Sequence, residues 1–191
     1  MDDVRRRLAI VGLCAMAASL AGPARAQDAG AMIGGIANRV LAALKSGASD
    51  DERERVLGEI LRASFDLSAI GRSVMGRHWN AATPEQQRRF IAAFEKAEVR
   101  AYSNRFKEYA GQSLEVGKVT RNNAQELVDS KIVQSNGQPI KLVWEVVNGK
   151  IVDVTIEGVS MAITRRSDFN SYIQRNGIDG LIGELERRGG R

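Results

Sequence analysis

What the sequence has little of limits its chemistry before any motif is sought. Among 191 residues there is one cysteine, Cys14, and one histidine, His78. An internal disulfide and a cysteine-built zinc site are excluded, and His/Cys metal centres and most nucleophile-plus-histidine chemistry lack their components. Three prolines and 19 glycines give no fibrous or low-complexity bias, and only 5% of residues are aromatic. No apolar run reaches the roughly 17–25 residues that cross a bilayer; the one at Leu8–Leu20 has 13. What is present, 43% apolar and 27% charged residues, is the composition of a globular domain able to bury about two-thirds of its unfolded surface.

The short apolar run has a context. Arg5, Arg6 and Arg7 precede it, and Ala24-Arg25-Ala26 follows before Gln27. A basic segment, a short apolar segment and an A-x-A site predict a secretory signal peptide over residues 1–26, with residues 27–191 as a single domain. Leu13 is too large for the small residue that precedes a lipid-attachment cysteine, so Cys14 is not read as a lipoprotein anchor. Loss of four Arg and two Asp leaves the expected mature chain cysteine-free, with 24 basic and 21 acidic side chains. A net charge of +3 favours anionic partners such as phospholipid surfaces mildly. It is far below what nucleic-acid binding asks for, and no nucleic-acid partner is expected.

The first half of the mature chain has helical periodicity. Ile33, Ile36, Val40, Leu41 and Leu44 mark an amphipathic helix over residues 29–45, and Ser49-Asp50-Asp51-Glu52 is a capping box for a second. The chain breaks at Phe65-Asp66-Leu67-Ser68 and restarts as a short helix ending near Gly76. Thr83-Pro84-Glu85-Gln86 combines an N-cap, a first-turn proline and a capping glutamine. It predicts a helix running to Gly111, with Phe90, Ile91, Phe94, Ala97, Ala101, Tyr102, Phe106 and Tyr109 as its apolar stripe.

The second half alternates instead. Segments 112–121, 125–134, 139–147 and 150–157 read as strands, with turns at Ser135-Asn136-Gly137 and Asn148-Gly149. Ile140, Leu142, Trp144 and Val146 fall on one face, and Lys141, Val143, Glu145 and Val147 on the other. Ser167-Asp168 is expected to cap a helix through Phe169, Tyr172 and Ile173, and a last helix starts at Ile178. The order predicts an α+β domain: a helical layer on one face of a four-stranded antiparallel sheet, with short C-terminal helices.

No catalytic constellation emerges. His78 beside Trp79 is read as structural. Gly158-Val159-Ser160-Met161-Ala162 lacks the second glycine of a nucleophile elbow. Asp153 and Glu157 lie four residues apart on a strand, about 13 Å, wider than the roughly 5–9.5 Å of glycosidase carboxylate pairs. No catalytic residue, metal or cofactor is expected.

A specific resemblance then comes from Phe65-Asp66-Leu67, Gly76-Arg77-His78-Trp79 and Ala82-Thr83-Pro84-Glu85-Gln86-Gln87-Arg88-Arg89-Phe90. It continues through Gly137-Gln138-Pro139-Ile140, Val152-Asp153-Val154-Thr155-Ile156-Glu157-Gly158-Val159-Ser160, Arg166, Phe169 and Gly177-Ile178-Asp179-Gly180-Leu181-Ile182. These blocks, in order over nearly the whole mature chain, resemble the MlaC / toluene-tolerance family of periplasmic phospholipid-binding proteins. One departure stands out: Asn148-Gly149-Lys150-Ile151-Val152-Asp153-Val154 lacks the two aromatics that relatives often carry there.

The resemblance implies a periplasmic lipid carrier, not an enzyme, with acyl tails held in an apolar cavity between the helices and a curved sheet. The implied tail contacts are Phe90, Phe94, Tyr102, Phe106, Val128, Ile132, Leu142, Trp144, Val152, Val154 and Ile156, with Arg77 and Arg166 near the headgroup phosphate. Implied partners are phospholipid, an inner-membrane ABC-type transporter with its periplasmic lipid-binding subunit, and an outer-membrane lipoprotein complex. A hopanoid-like ligand, an exported enzyme on a similar scaffold and a structural adaptor of the envelope are the alternatives. The last of these expects a filled core.

Overall fold

Local signals account for most of the helix boundaries in a computed structural model that describes residues 29–106, 109, 111–134 and 137–190. The expected signal peptide lies outside these residues, as do Ser135 and Asn136 of one expected turn. Helix α1 is Ala29–Lys45 and α2 is Asp50–Ser64, the latter begun by the Ser49 hydroxyl accepting from the Glu52 N–H. Asp66 caps α3, Leu67–Met75, through the Ala69 N–H, and Gly76 turns the chain into the short α4, Arg77–Ala81. Helix α5, Pro84–Phe106, opens on a reciprocal box. The Gln86 N–H donates to Thr83 Oγ1 at 3.2 Å, and the Thr83 N–H to Gln86 Oε1 at 2.9 Å. The described part of this helix runs to Phe106, and Tyr109 lies outside it, so the helix ends before the expected Gly111.

The sheet is an antiparallel meander in the order β1-β2-β3-β4-β5: Ser113–Asn122, Gln125–Val133, Ile140–Val147, Lys150–Ile156 and Val159–Ser160. Asn148 and Gly149, with φ of 50° and 73°, make the expected hairpin turn, whose twist matches that of the strands it joins. Five strands replace the expected four. Glu157 and Gly158 form a second tight turn with φ of 49° and 82°, folding Val159–Ser160 back onto Thr155–Ile156. Ser160 then caps α6, Met161–Gly189, by accepting from the Ile163 N–H. The C-terminal helix therefore begins well before the expected Ser167-Asp168 cap, which lies inside it.

Helix α6 bends at Gly177, where φ is 72° and ψ is 174°. That conformation is essentially restricted to glycine, so the two expected C-terminal helices are the two arms of this bend. Gly177→Ala is expected to cost about 1–3 kcal/mol and lower the melting temperature by several degrees. An unchanged melt would mean that the bend is not held in solution.

The helices divide between two apolar cores. Helix α1 lies on β1 and β2, whereas α5 packs chiefly on α6, α2 and α3. Helices α3 and α6 meet β4. One core joins Ala29 and Ile33 of α1 to Val128, Val146 and Ile151 of the sheet. The other joins α3, α5 and α6 around Phe90, Phe94, Phe169 and Leu181. Phe90 and Phe94 of α5 therefore face a helix rather than the sheet.

Candidate functional site

Strand pairing defines the inner face of the sheet. Val128, Trp144 and Val154 are cross-strand neighbours, and Ser130, Leu142 and Ile156 form the adjacent row. Leu142 and Val146 are buried and Lys141 is exposed, as the alternation on β3 requires. Trp144 donates its indole N–H to Ser130 Oγ at 2.8 Å, which satisfies the one polar atom of an otherwise apolar side chain. A register shift between Glu145 and Val146 places Ile151, not Val152, opposite Val146. Ile151 is fully buried and Val152 half-buried. Strict alternation on β4 selects Val152; the bulge hands the inner position to Ile151.

The expected tail contacts fall into three groups. Val128, Trp144 and Val154 sit in or against the core under α1. Phe90 and Phe94 belong to the helical core, stacked with centroids 5.7 Å apart, and Phe169 stands edge-on to both at 5.9 and 6.1 Å. Leu142, Ile132 and Ile156 are inner-face residues outside both cores, and the last two are half-buried. Tyr102 is 38% exposed on α5. Burial first, then the Glu98 carboxylate, pushes its phenol above the ordinary value. The Phe106 side chain lies outside the described residues. The structure thus brings sheet residues together and sets them apart from Phe90 and Phe94.

The polar groups considered for chemistry have structural partners. The Asp153 carboxylate accepts from the Ser160 hydroxyl, from the Val154 N–H at 2.8 Å and from the Ala162 N–H at 3.0 Å, tying β4 to the start of α6. The Glu157 carboxylate accepts from the Lys141 N–H. His78 Nε2 lies 3.0 Å from Asn170 Oδ1. Among the described residues, no cluster of three or more His, Cys, Asp and Glu side chains could hold a metal.

Two features escaped the sequence. Ser103, fully buried on α5, has no hydrogen-bond partner for its hydroxyl among the described residues, a position that nothing in the local pattern marks. A pocket of about 270 Å³ opens between the arms of α6, where apolar Phe169, Leu181 and Leu185 share the lining with charged groups of both signs, among them Arg165, Asp168 and Glu184. Arg165 is partly desolvated there, and its ion pair with Glu98 at 3.0 Å outweighs that burial and holds its guanidinium above the ordinary value.

Comparison with known proteins adds two findings. Residues 35–187 match the family model described as MlaC protein. A phospholipid-binding protein from Ralstonia solanacearum, solved in complex with a phospholipid at 1.53 Å, is 26% identical with a TM-score of 0.75. The match covers 85% of this chain and 97% of that one.

Proposed function

This chain belongs to the MlaC family, and we propose that it is an exported phospholipid carrier of the periplasm, a binding protein rather than an enzyme. The observation that carries the reading is the correspondence with nearly the whole of a chain that holds a phospholipid. On this reading residues 1–26 direct export, and residues 27–191 form the single lipid-binding domain.

Physical necessity supports a carrier. A lipid with about thirty tail methylenes meets water at a cost on the order of 25 kcal/mol, at ~0.8 kcal/mol per CH₂. Unassisted passage between membranes is negligible at that cost. A carrier must cover both tails while leaving the phosphate near solvent. The tails lie along the inner face, on Ile132, Leu142, Trp144, Val154 and Ile156, with Val128 and Ile151 beneath them. Phe90 and Phe94 form the rigid wall behind the helices, and Tyr102 and Phe106 flank the entrance. Loading parts the sheet core from the helical core, because the two are separate clusters rather than one interlocked interior. Arg77 and Arg166 hold the phosphate. The cargo passes between an outer-membrane lipoprotein complex and an inner-membrane ABC-type transporter.

Native mass spectrometry of protein purified without detergent tests the reading, with one bound phospholipid as the expected result. Extracting that lipid is expected to lower the melting temperature by several degrees. Bound ligand stabilises the folded state by about 2.7 kcal/mol at a hundredfold excess over Kd. A bare polypeptide whose melt ignores added phospholipid contradicts the proposal.

A further inference from the structure

Where the α3–α4 corner meets α6, the basic residues differ from most others of the molecule in their partners. Elsewhere guanidinium groups meet carboxylates: Arg62 pairs with Glu95, Arg89 with Glu186 and Arg165 with Glu98. At this corner none of the four basic side chains pairs with a carboxylate among the described residues. Arg77 donates to Asn170 Oδ1 at 3.1 Å, and Arg166 donates to Ser73 O at 2.6 Å and Ser73 Oγ at 3.0 Å. Arg72 lies over the Trp79 ring, 5.9 Å from its centroid. Because Asn170 Oδ1 already accepts from Arg77, His78 Nε2, 3.0 Å from the same oxygen, must donate to it as well. The four groups share one surface. Ser73, Gly76 and Arg77 follow one another around the corner, and the Arg166 side chain lies against Gly76.

The geometry fixes Arg77 and Arg166 without neutralising them. Asn170 and Ser73 are uncharged acceptors that use one donor of Arg77 and two of Arg166, out of the five each guanidinium carries. The remaining N–H groups on three exposed arginines are left for an anion of matching fork geometry, which phosphate supplies. A zwitterionic headgroup also has a phosphate, so the phosphate contact cannot discriminate. The ammonium can. It needs an acceptor, none of the four groups here is partnered by a carboxylate, and the surrounding positive charges repel it.

We propose that this corner selects the headgroup of the carried lipid, favouring net-negative phosphodiesters such as phosphatidylglycerol over zwitterionic ones such as phosphatidylethanolamine. The proposal rests on the carrier reading above and adds Arg72 and His78 as selecting residues, with Asn170 and Ser73 as positioning residues. Helices α3 and α6, which carry the corner, both meet β4, the strand that places Val154 and Ile156 on the inner face.

Delipidated protein is incubated with vesicles of equal phosphatidylglycerol and phosphatidylethanolamine bearing the same acyl chains, and the bound lipid is identified by mass spectrometry. The expected result is roughly tenfold enrichment of phosphatidylglycerol, the effect of one favourable charge contact. Two variants remove it differently. Arg77→Gln with Arg166→Gln deletes the forks. Asn170→Asp, nearly isosteric, puts a carboxylate between Arg77 and His78. Each is expected to bring the ratio within about twofold of unity, whatever it does to the total lipid bound. Equal uptake by the unaltered protein, or enrichment that survives in both variants, overturns the selection while leaving the carrier reading intact. Uptake of neither lipid overturns the carrier reading, and the selection with it.

Discussion

Leu142→Asp is expected to yield protein without bound lipid, whereas Lys141→Asp, one residue away, retains it. Leu142 is 6% exposed and lies between Ser130 and Ile156 on the inner face. A carboxylate there is buried beside Ser130 and Ile156 or against acyl chains, and neither flanking residue carries a charge to pair with it, which makes the site costly for an anion. Lys141 is exposed on the opposite parity, so an aspartate there stays solvated. Lipid content by mass spectrometry and folding by circular dichroism are read together. If Leu142→Asp does not fold, Ile156→Asp tests the same row from a half-buried position. Equal retention by the variants of both faces would show that the tails do not lie on the inner face.

The second large effect separates wall from lining. Phe90 is fully buried between Phe94 and Phe169, and its ring also approaches Gly71. Phe90→Ala is expected to cost about 3–5 kcal/mol, the usual range for deleting a packed core phenylalanine. Because these contacts are with protein, the loss is expected to be the same in lipid-loaded and delipidated protein. Trp144→Ala behaves differently: part of its packing belongs to the ligand, so it also shrinks the lipid-dependent gain in melting temperature. Chemical unfolding of both variants, with and without lipid, measures the contrast. A Phe90→Ala protein that strips lipid while barely losing lipid-free stability would move Phe90 into the lining.

Local chemistry was the legible part of the fold. The Thr83–Gln86 box, the Ser49 cap and the Asn148-Gly149 turn each specify geometry within a few residues, and each recurs with the expected bonds or dihedrals. The faces of β3 followed from alternation because both outcomes, buried Leu142 and exposed Lys141, depend only on a period of two. Strand β5 is two residues long, too short to carry any period. The true cap of α6 was hidden because Val159, Ile163 and Thr164 continue the β-branched composition of β4, while Ser167-Asp168 imitates a cap in mid-helix.

Long-range pairing was the illegible part. An apolar stripe on α5 announces that a partner exists, but the same stripe fits a sheet or a helix, and Phe169 is the group that claims it. The exchange of Ile151 for Val152 has the same origin, since a bulge depends on the neighbouring strand. At the α3–α4 corner the sequence marked Arg77 and Arg166 only through family resemblance. Their shared lack of carboxylate partners became visible once Asn170 and Ser73 were brought beside them from distant positions.

Transfer between separated membranes tests the carrier proposal most directly. Donor vesicles holding labelled phospholipid and acceptor vesicles without it are immobilised on different beads, so that they cannot touch, and the protein is the only diffusing component. The expected result is label appearing on the acceptor beads at a rate proportional to protein concentration, abolished by Leu142→Asp and retained by Lys141→Asp. Label that stays on the donor, with protein that binds lipid yet delivers none, would contradict it.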